Sequence, residues 1–112
     1  MVTTIKGLRS SLREKKRYLV YECLSEQKLE QQAITMAVRQ ALFAFLGEYG
    51  YGRAGVILLK QRGNKGIIRA NTRYVDHVRT ALMHIKSIAS APAIVRTVGV
   101  SGMLNKSISK FM

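Results

Sequence analysis

Apolar residues at helical spacing constrain this chain more than any other feature of its sequence. Six of them recur at steps of three and four residues: Ile34, Val38, Ala41, Leu42, Phe45 and Tyr49. This spacing places them along one face of an α-helix, and that face must be buried against another element. Segments 17–24 and 56–60 are rich in β-branched, aromatic and aliphatic residues, a composition typical of strands. We therefore expect a helix that is N-capped by Ser25, ends near Tyr49 and packs on a sheet.

The second half of the chain continues the alternation of strands and helices. The predicted elements after a loop at 50–55 are a strand at 56–60, a turn at 63–66, a strand at 67–70, a helix with the stripe Val75, Val78, Leu82 and Ile85, a strand at 93–100 and a short helix in the tail. Asn71 or Thr72 is expected to cap the second of the two long helices. The order predicts an α+β sandwich of the ferredoxin-like or RRM-like type, β-α-β-β-α-β, with a four-stranded antiparallel sheet and an additional C-terminal helix.

The charge of the chain points to a polyanionic partner. Nineteen Lys and Arg oppose six Asp and Glu among 112 residues, for a net charge of +13. Such a field attracts nucleic acid before any specific contact forms. No stretch reaches the ~18 apolar residues of a membrane-spanning helix, so we expect a cytoplasmic protein that binds RNA and no membrane. The composition of residues 1–16 is typical of a flexible basic arm, and residues 17–112 are expected to form one domain.

No set of residues in the sequence forms a recognisable catalytic or metal-binding constellation. Cys23 is the single cysteine and lies in an apolar run, where a buried role is expected. His77 and His84 lack a carboxylate at ligand spacing, so we interpret both as surface or helix-edge residues. Ser101 lacks a nucleophile-elbow pattern, and the acids include no close pair for metal-dependent cleavage. We therefore expect no catalytic residue, no metal site and no cofactor bound by the protein.

Two predicted surfaces are too apolar to remain in water. Strand alternation places one set of residues on the sheet face opposite the helices: Tyr18, Val20, Glu22, Val56, Leu58, Lys60, Ile67, Arg69, Ile94, Arg96 and Val98. Either the C-terminal tail or another protein must cover this face. Met36 and Phe43 form a second apolar pair on the exposed side of the first helix. We interpret Met36, Phe43, Val20 and Ile67 as partner-binding residues.

Phosphate binding is the expected mode of RNA recognition. Ile67 and Ile68 stand where RRM domains place base-stacking aromatics, which disfavours base reading on the sheet. One basic cluster comprises Arg13, Lys15, Lys16 and Arg17, and a second comprises Arg53, Lys60, Arg62, Lys65, Arg69, Arg73 and Arg79. Arginine suits this task because its planar fork can bind two phosphate oxygens at once.

Three segments of this sequence resemble one known family. They are LREKKRYLVYE at 12–22, GNKGIIRANTRYVDHVRTAL at 63–82 and VRTVGVSGMLNK at 95–106. Together they are similar to archaeal ribonuclease P protein component 2 and its eukaryotic relatives in nuclear ribonuclease P and ribonuclease MRP. The resemblance covers nearly the whole chain in the right order. The basic entry into the first strand and the RTVGVSG exit of the last strand are its most specific parts.

The resemblance implies a function within a ribonucleoprotein. The catalyst would be the RNA, which uses Mg²⁺ to remove the 5′ leader of precursor tRNA while the protein assists. The implied partners are ribonuclease P RNA, precursor tRNA and ribonuclease P protein component 3, with self-association of the chain within a heterotetramer. The resemblance implies that six residues contact RNA: Arg13, Lys15, Lys16, Arg17, Arg69 and Arg96. Arg62 and Lys65 of the second basic cluster are also predicted to contact RNA.

Two other interpretations remain open from the sequence. A small basic ribosomal protein would share the size, the charge and the fold, would bind ribosomal RNA and would need no apolar partner surface. A metabolite-sensing ferredoxin-like domain that dimerises through its sheet is the third, although a net charge of +13 argues against it.

Overall fold

An antiparallel sheet with helices on both faces forms the described part of the chain. The structure is a computed structural model and describes residues 15–112, apart from the side chain of Asn105. Its elements are β1 (Lys16–Leu24), α1 (Gln31–Ala54), β2 (Ile57–Arg62), β3 (Lys65–Asn71), a 3₁₀ turn (Thr72–Tyr74), α2 (Val75–Met83), β4 (Ser87–Ile88), β5 (Ala91–Pro92), β6 (Ile94–Ser101) and α3 (Leu104–Phe111). Strands β2, β3, β1 and β6 pair in that order, and β4 and β5 form a separate small hairpin. The predicted fold class is confirmed, whereas the β4–β5 hairpin was not predicted.

The main core lies between the sheet and helices α1 and α2. Leu19, Tyr21 and Cys23 of β1 point into it, and each is at most 3% exposed. The helices contribute a matching set: Ile34, Val38, Leu42, Val78, Ala81 and Leu82. Each large apolar side chain buried in this way contributes roughly 1.5–3 kcal/mol. Burial also raises the pKa of the Cys23 thiol, in keeping with its predicted role as a buried hydrophobe.

The opposite face of the sheet is covered by α3. Val20 and Ile67 point away from the main core yet are 0% and 1% exposed, and α3 packs on β1 and β6. The ring of Phe111 lies directly over Gly99, where a β-carbon would collide with it. The outer face was expected to be buried by either the C-terminal tail or another protein, and in the structure it is the C-terminal tail. The assignment of Val20 and Ile67 to a partner surface is therefore wrong for this conformation, because both side chains are buried by their own chain.

Val56 and Leu58 face opposite to the prediction, whereas Lys60 lies on the predicted outer face, paired with Ile67. Val56 is buried in the main core and Leu58 packs against it, although both were expected on the outer face. A bulge between Leu58 and Lys60 shifts the pairing with β3, so that Ile57 and Lys60 face the outer-side residues of that strand. Simple alternation misses such a shift, because a bulge inserts one residue without changing the strand composition.

Helix α1 differs from its prediction at both ends. Ser25 does not cap it: the Ser25 hydroxyl donates to the carbonyl of Pro92 at 3.0 Å and accepts from the Gln27 amide at 3.2 Å. The helix ends at Ala54, so the loop predicted at 50–55 is wrong over most of its length. Gly47 has φ 75° and interrupts the helix with a kink. The glycines thus bend the helix, and the chain continues in helical form beyond them.

Placing a branched side chain beneath Phe111 tests the packing of α3. We expect Gly99→Val to lower the free energy of unfolding by about 1–3 kcal/mol, because the added atoms overpack the contact. Gly52→Ala is the matched control, since no atom lies within 4 Å of its β-carbon position. Urea unfolding followed by circular dichroism measures both variants. Equal stability of Gly99→Val and the unmodified chain would contradict this account of the outer face.

Candidate nucleic-acid interface

Basic side chains converge where β1 begins and β3 ends. We define the basic end as Lys15, Lys16, Arg17 and Arg69. In the β1–β3 ladder Lys16 pairs with Asn71 and Arg17 with Ala70, while Arg69 pairs with the next residue along, Tyr18. The strand pairing therefore brings together residues that lie more than fifty positions apart in sequence. The first predicted basic cluster and part of the second therefore lie at the same end of the sheet; Arg13 lies outside the described residues.

Backbone and side-chain hydrogen bonds fix the basic end in place. The amide and the hydroxyl of Thr72 both donate to the carbonyl of Lys15, each at 2.8 Å. Asn71 is 8% exposed, and its side-chain amide donates to the carbonyl of Arg53 at 2.8 Å while its Oδ1 contacts Nζ of Lys16. Asn71 was expected only as a helix cap, yet it makes no capping hydrogen bond and joins β1, β3 and the end of α1. A long-range role of this kind has no local signal in the sequence.

Two arginines at the basic end are held close to the sheet. Nε of Arg69 is buried and has no hydrogen-bond partner among residues 15–112. The guanidinium of Arg17 lies against Gly102, just before the N-terminus of α3. A buried donor without a partner is costly unless an acceptor reaches it. The two guanidinium groups are thus held at this end of the sheet, and phosphate binding there stays a prediction.

The remaining predicted RNA contacts lie at the other end of the sheet. Arg62 pairs with Lys65 beside the β2–β3 turn, and Lys65 is four residues, or roughly 13 Å, from Arg69 along β3. Arg96 Nη2 lies 2.7 Å from Glu22 Oε1, so part of its charge is already offset. The structure therefore separates Arg62, Lys65 and Arg96 from the basic end, and the eight predicted residues do not form one patch.

The predicted partner pair on α1 is accessible. Met36 and Phe43 are 51% and 49% exposed, which confirms the expected exposure and leaves their role in partner binding a prediction. Phe45 and Tyr49 were expected in the buried stripe but are 42% and 76% exposed. The kink at Gly47 accounts for the exposure of Tyr49, because residues after the kink no longer continue the apolar face of the preceding helix.

The histidines lie on the surface as expected, and each has an aromatic neighbour. The centroid of the His77 ring is 5.4 Å from that of Tyr74, and His84 is 5.3 Å from Phe45. Nδ1 of His84 lies 2.8 Å from the carbonyl of Thr80, one helical turn earlier. Over residues 15–112, no helix is long and apolar enough to cross a membrane.

Comparison with known proteins decides the family. A family model described as the Rpp14/Pop5 family matches residues 17–112. The chain belongs to the Rpp14/Pop5 family. Relatives named ribonuclease P protein component 2 include those of Methanocaldococcus jannaschii, 30% identical over 100% of this chain and 84% of the relative, and Pyrococcus abyssi, 32% identical over 96% and 93%. The resemblance seen in the sequence is thereby confirmed, and the ribosomal and metabolite-sensing interpretations lose their support.

The fold of this Rpp14/Pop5 family member also matches a solved structure. A chain in the cryo-EM structure of yeast ribonuclease MRP aligns with a TM-score of 0.58 and 20% sequence identity, over 81% of this chain and 76% of that chain. At this identity the match concerns the fold alone.

Salt dependence tests whether the basic end binds phosphates. If the chain contacts ~6–10 phosphates, its RNA affinity should fall by ~10³–10⁵ between about 50 and 200 mM salt. We expect Lys16→Gln combined with Arg69→Gln to reduce the slope of log K against log salt by about two. Lys28→Gln combined with Arg39→Gln removes the same charge from exposed positions elsewhere and serves as the control. Equal slopes for the two double variants would refute a specific role of the basic end.

Proposed function

We propose that this chain is a protein subunit of ribonuclease P and assists the catalytic RNA in removing the 5′ leader of precursor tRNA. The observation that carries the proposal is the family match over residues 17–112, together with relatives named ribonuclease P protein component 2 that align along most of their length. A net charge of +13 and a preformed basic end support RNA as the ligand. The work of the subunit is therefore the processing of tRNA inside a ribonucleoprotein.

The proposed mechanism is electrostatic. Arg17 and Arg69 can each present a planar guanidinium to phosphate oxygens, and Lys16 adds a third positive charge beside them. Cations fixed by the sheet reduce the repulsion between RNA strands that pack closely. The RNA core then needs fewer Mg²⁺ ions to hold its active fold. Lys15 extends this surface at the entry to β1, and Arg13 remains a predicted contact.

Catalysis itself is assigned to the RNA. We propose that the protein holds no cofactor and has no active site of its own, and that the Mg²⁺ ions of the reaction are bound by the RNA. The nearest features to catalytic groups are His77 and His84, and both are exposed side chains stacked beside aromatic rings. The isolated chain should therefore leave precursor tRNA intact.

A protein partner is proposed for the α1 surface around Met36 and Phe43. Two large apolar side chains, each about half exposed on one helix, are typical of an interface core. The proposed partner is ribonuclease P protein component 3, and self-association of the chain within a heterotetramer is the further expectation. The assembly is expected in the cytoplasm.

Reconstituted cleavage tests the function directly. Precursor tRNA is incubated with ribonuclease P RNA and component 3 at limiting Mg²⁺, with and without this chain. We expect a large increase in rate on adding it, because fixed cations substitute for Mg²⁺ in folding the RNA. Lys16→Gln with Arg69→Gln should weaken that increase, and raising the Mg²⁺ concentration should restore it. Stimulation that is absent despite tight RNA binding would refute the proposal. Lys28→Gln with Lys86→Gln, both exposed and outside α1, controls for net charge.

A charge on α1 tests the partner surface. We expect Met36→Glu combined with Phe43→Glu to abolish co-purification with component 3, because a buried interface tolerates no unpaired carboxylates. The fold should survive, since both side chains are exposed. Met83→Glu is the matched control, as Met83 is 75% exposed on α2. Unchanged association of the double variant would exclude this surface as the contact.

A further inference from the structure

An aromatic and basic corner lies beside the basic end and is used by none of the contacts assigned so far. We define the aromatic corner as Tyr49, Arg53, Tyr74 and His77. Nη1 of Arg53 donates to the hydroxyl of Tyr49 at 3.0 Å, and its guanidinium carbon lies 5.5 Å from the centroid of the Tyr49 ring. The rings of Tyr74 and His77 are 5.4 Å apart. The kink at Gly47 and the turn after β3 place these side chains together.

The corner is open and is joined to the basic end. Tyr49 is 76% exposed, and Arg53 and His77 are also exposed. Hydrogen bonding to Tyr74, followed by the charge interaction with Tyr49, raises the pKa of Arg53, which favours its charged form. Asn71 connects the two surfaces, since it binds the carbonyl of Arg53 and contacts Lys16. Glu48 and Asp76, the acids nearest in sequence, are both exposed.

We propose that the aromatic corner binds an unpaired RNA nucleotide, with the base stacked on Tyr49 and the phosphate held by Arg53 and the adjoining basic end. An exposed tyrosine whose ring is fixed by an arginine offers a flat face that any base can cover. The arginine also strengthens the stack through its charge. This inference deepens the proposed function and rests on it, because it requires that the chain binds RNA. The proposed base-stacking site is thus at the end of α1 and not on the sheet, where RRM domains have it.

The test compares single-stranded with double-stranded RNA. Binding of the full chain is measured with a fluorescent oligouridylate and with an RNA duplex, using Tyr49→Ala, Tyr49→Phe and Phe45→Ala. We expect Tyr49→Ala to bind the single strand about 5- to 100-fold more weakly and the duplex unchanged. Tyr49→Phe retains the ring and should bind as the unmodified chain. Phe45→Ala removes another exposed ring from the same helix, outside every proposed binding surface, and should also have no effect.

The outcomes separate this inference from the function beneath it. Unchanged single-strand affinity of Tyr49→Ala, or an equal loss for single strand and duplex, would overturn the stacking site. The function would still stand if Lys16→Gln with Arg69→Gln weakened RNA binding and cleavage in the same assays. If that double variant bound RNA and stimulated cleavage as well as the unmodified chain, the result would instead count against the proposed function.

Cross-linking identifies the source of the nucleotide. Thiouridine is placed either in the 5′ leader of precursor tRNA or in unpaired segments of the catalytic RNA, and each assembly is irradiated. We expect one of the two RNAs to cross-link to a peptide that contains Tyr49, and that result names the source. A cross-link from neither RNA to this peptide would overturn the inference.

Discussion

The fold depends on the two-sided burial of β1. This strand lies between β3 and β6, and its alternate residues belong to different cores. Leu19 and Tyr21 pack beneath α1 and α2, whereas Val20 packs beneath α3. A strand with both faces buried has its register strongly fixed, since a slip of one residue would exchange the two cores. The basic residues at its start are therefore held at a fixed position relative to β3.

The fixed register of β1 brings basic residues that are far apart in sequence to one end of the sheet. Lys16 and Arg17 are the first residues of a strand whose register is fixed, and the pairing with β3 places Arg69 near them. Charges presented by rigid strands lose little conformational freedom when they bind, in contrast to charges on a mobile chain. In the proposed mode of RNA binding, recognition thus depends on apolar packing at a distance from the basic end.

Much of the fold follows from local patterns, and the site follows from them only in part. The order of strands and helices is encoded in periods of two and 3.6, which survive in a single sequence. The bulge after Leu58 and the kink at Gly47 depend on backbone geometry, so Val56 and Leu58 were assigned the wrong face and Tyr49 the wrong exposure. The linking role of Asn71 and the separation of Arg96 from the basic end result from tertiary contacts. Composition and spacing carry no information about such contacts. The identity of the RNA contacts beyond their charge stays a prediction.

The bulge in β2 has a further consequence, for the behaviour of the chain before assembly. β2 is an edge strand of the sheet, and its exposed Ile57 and Leu59 would invite pairing with a strand of another copy. The irregular pairing between Leu58 and Lys60 distorts the edge that an incoming strand would have to match. Lys60 and Arg62 add like charges that oppose each other in such a pair. The bulge and the positive charges of this edge thus both disfavour pairing with a second copy of the chain.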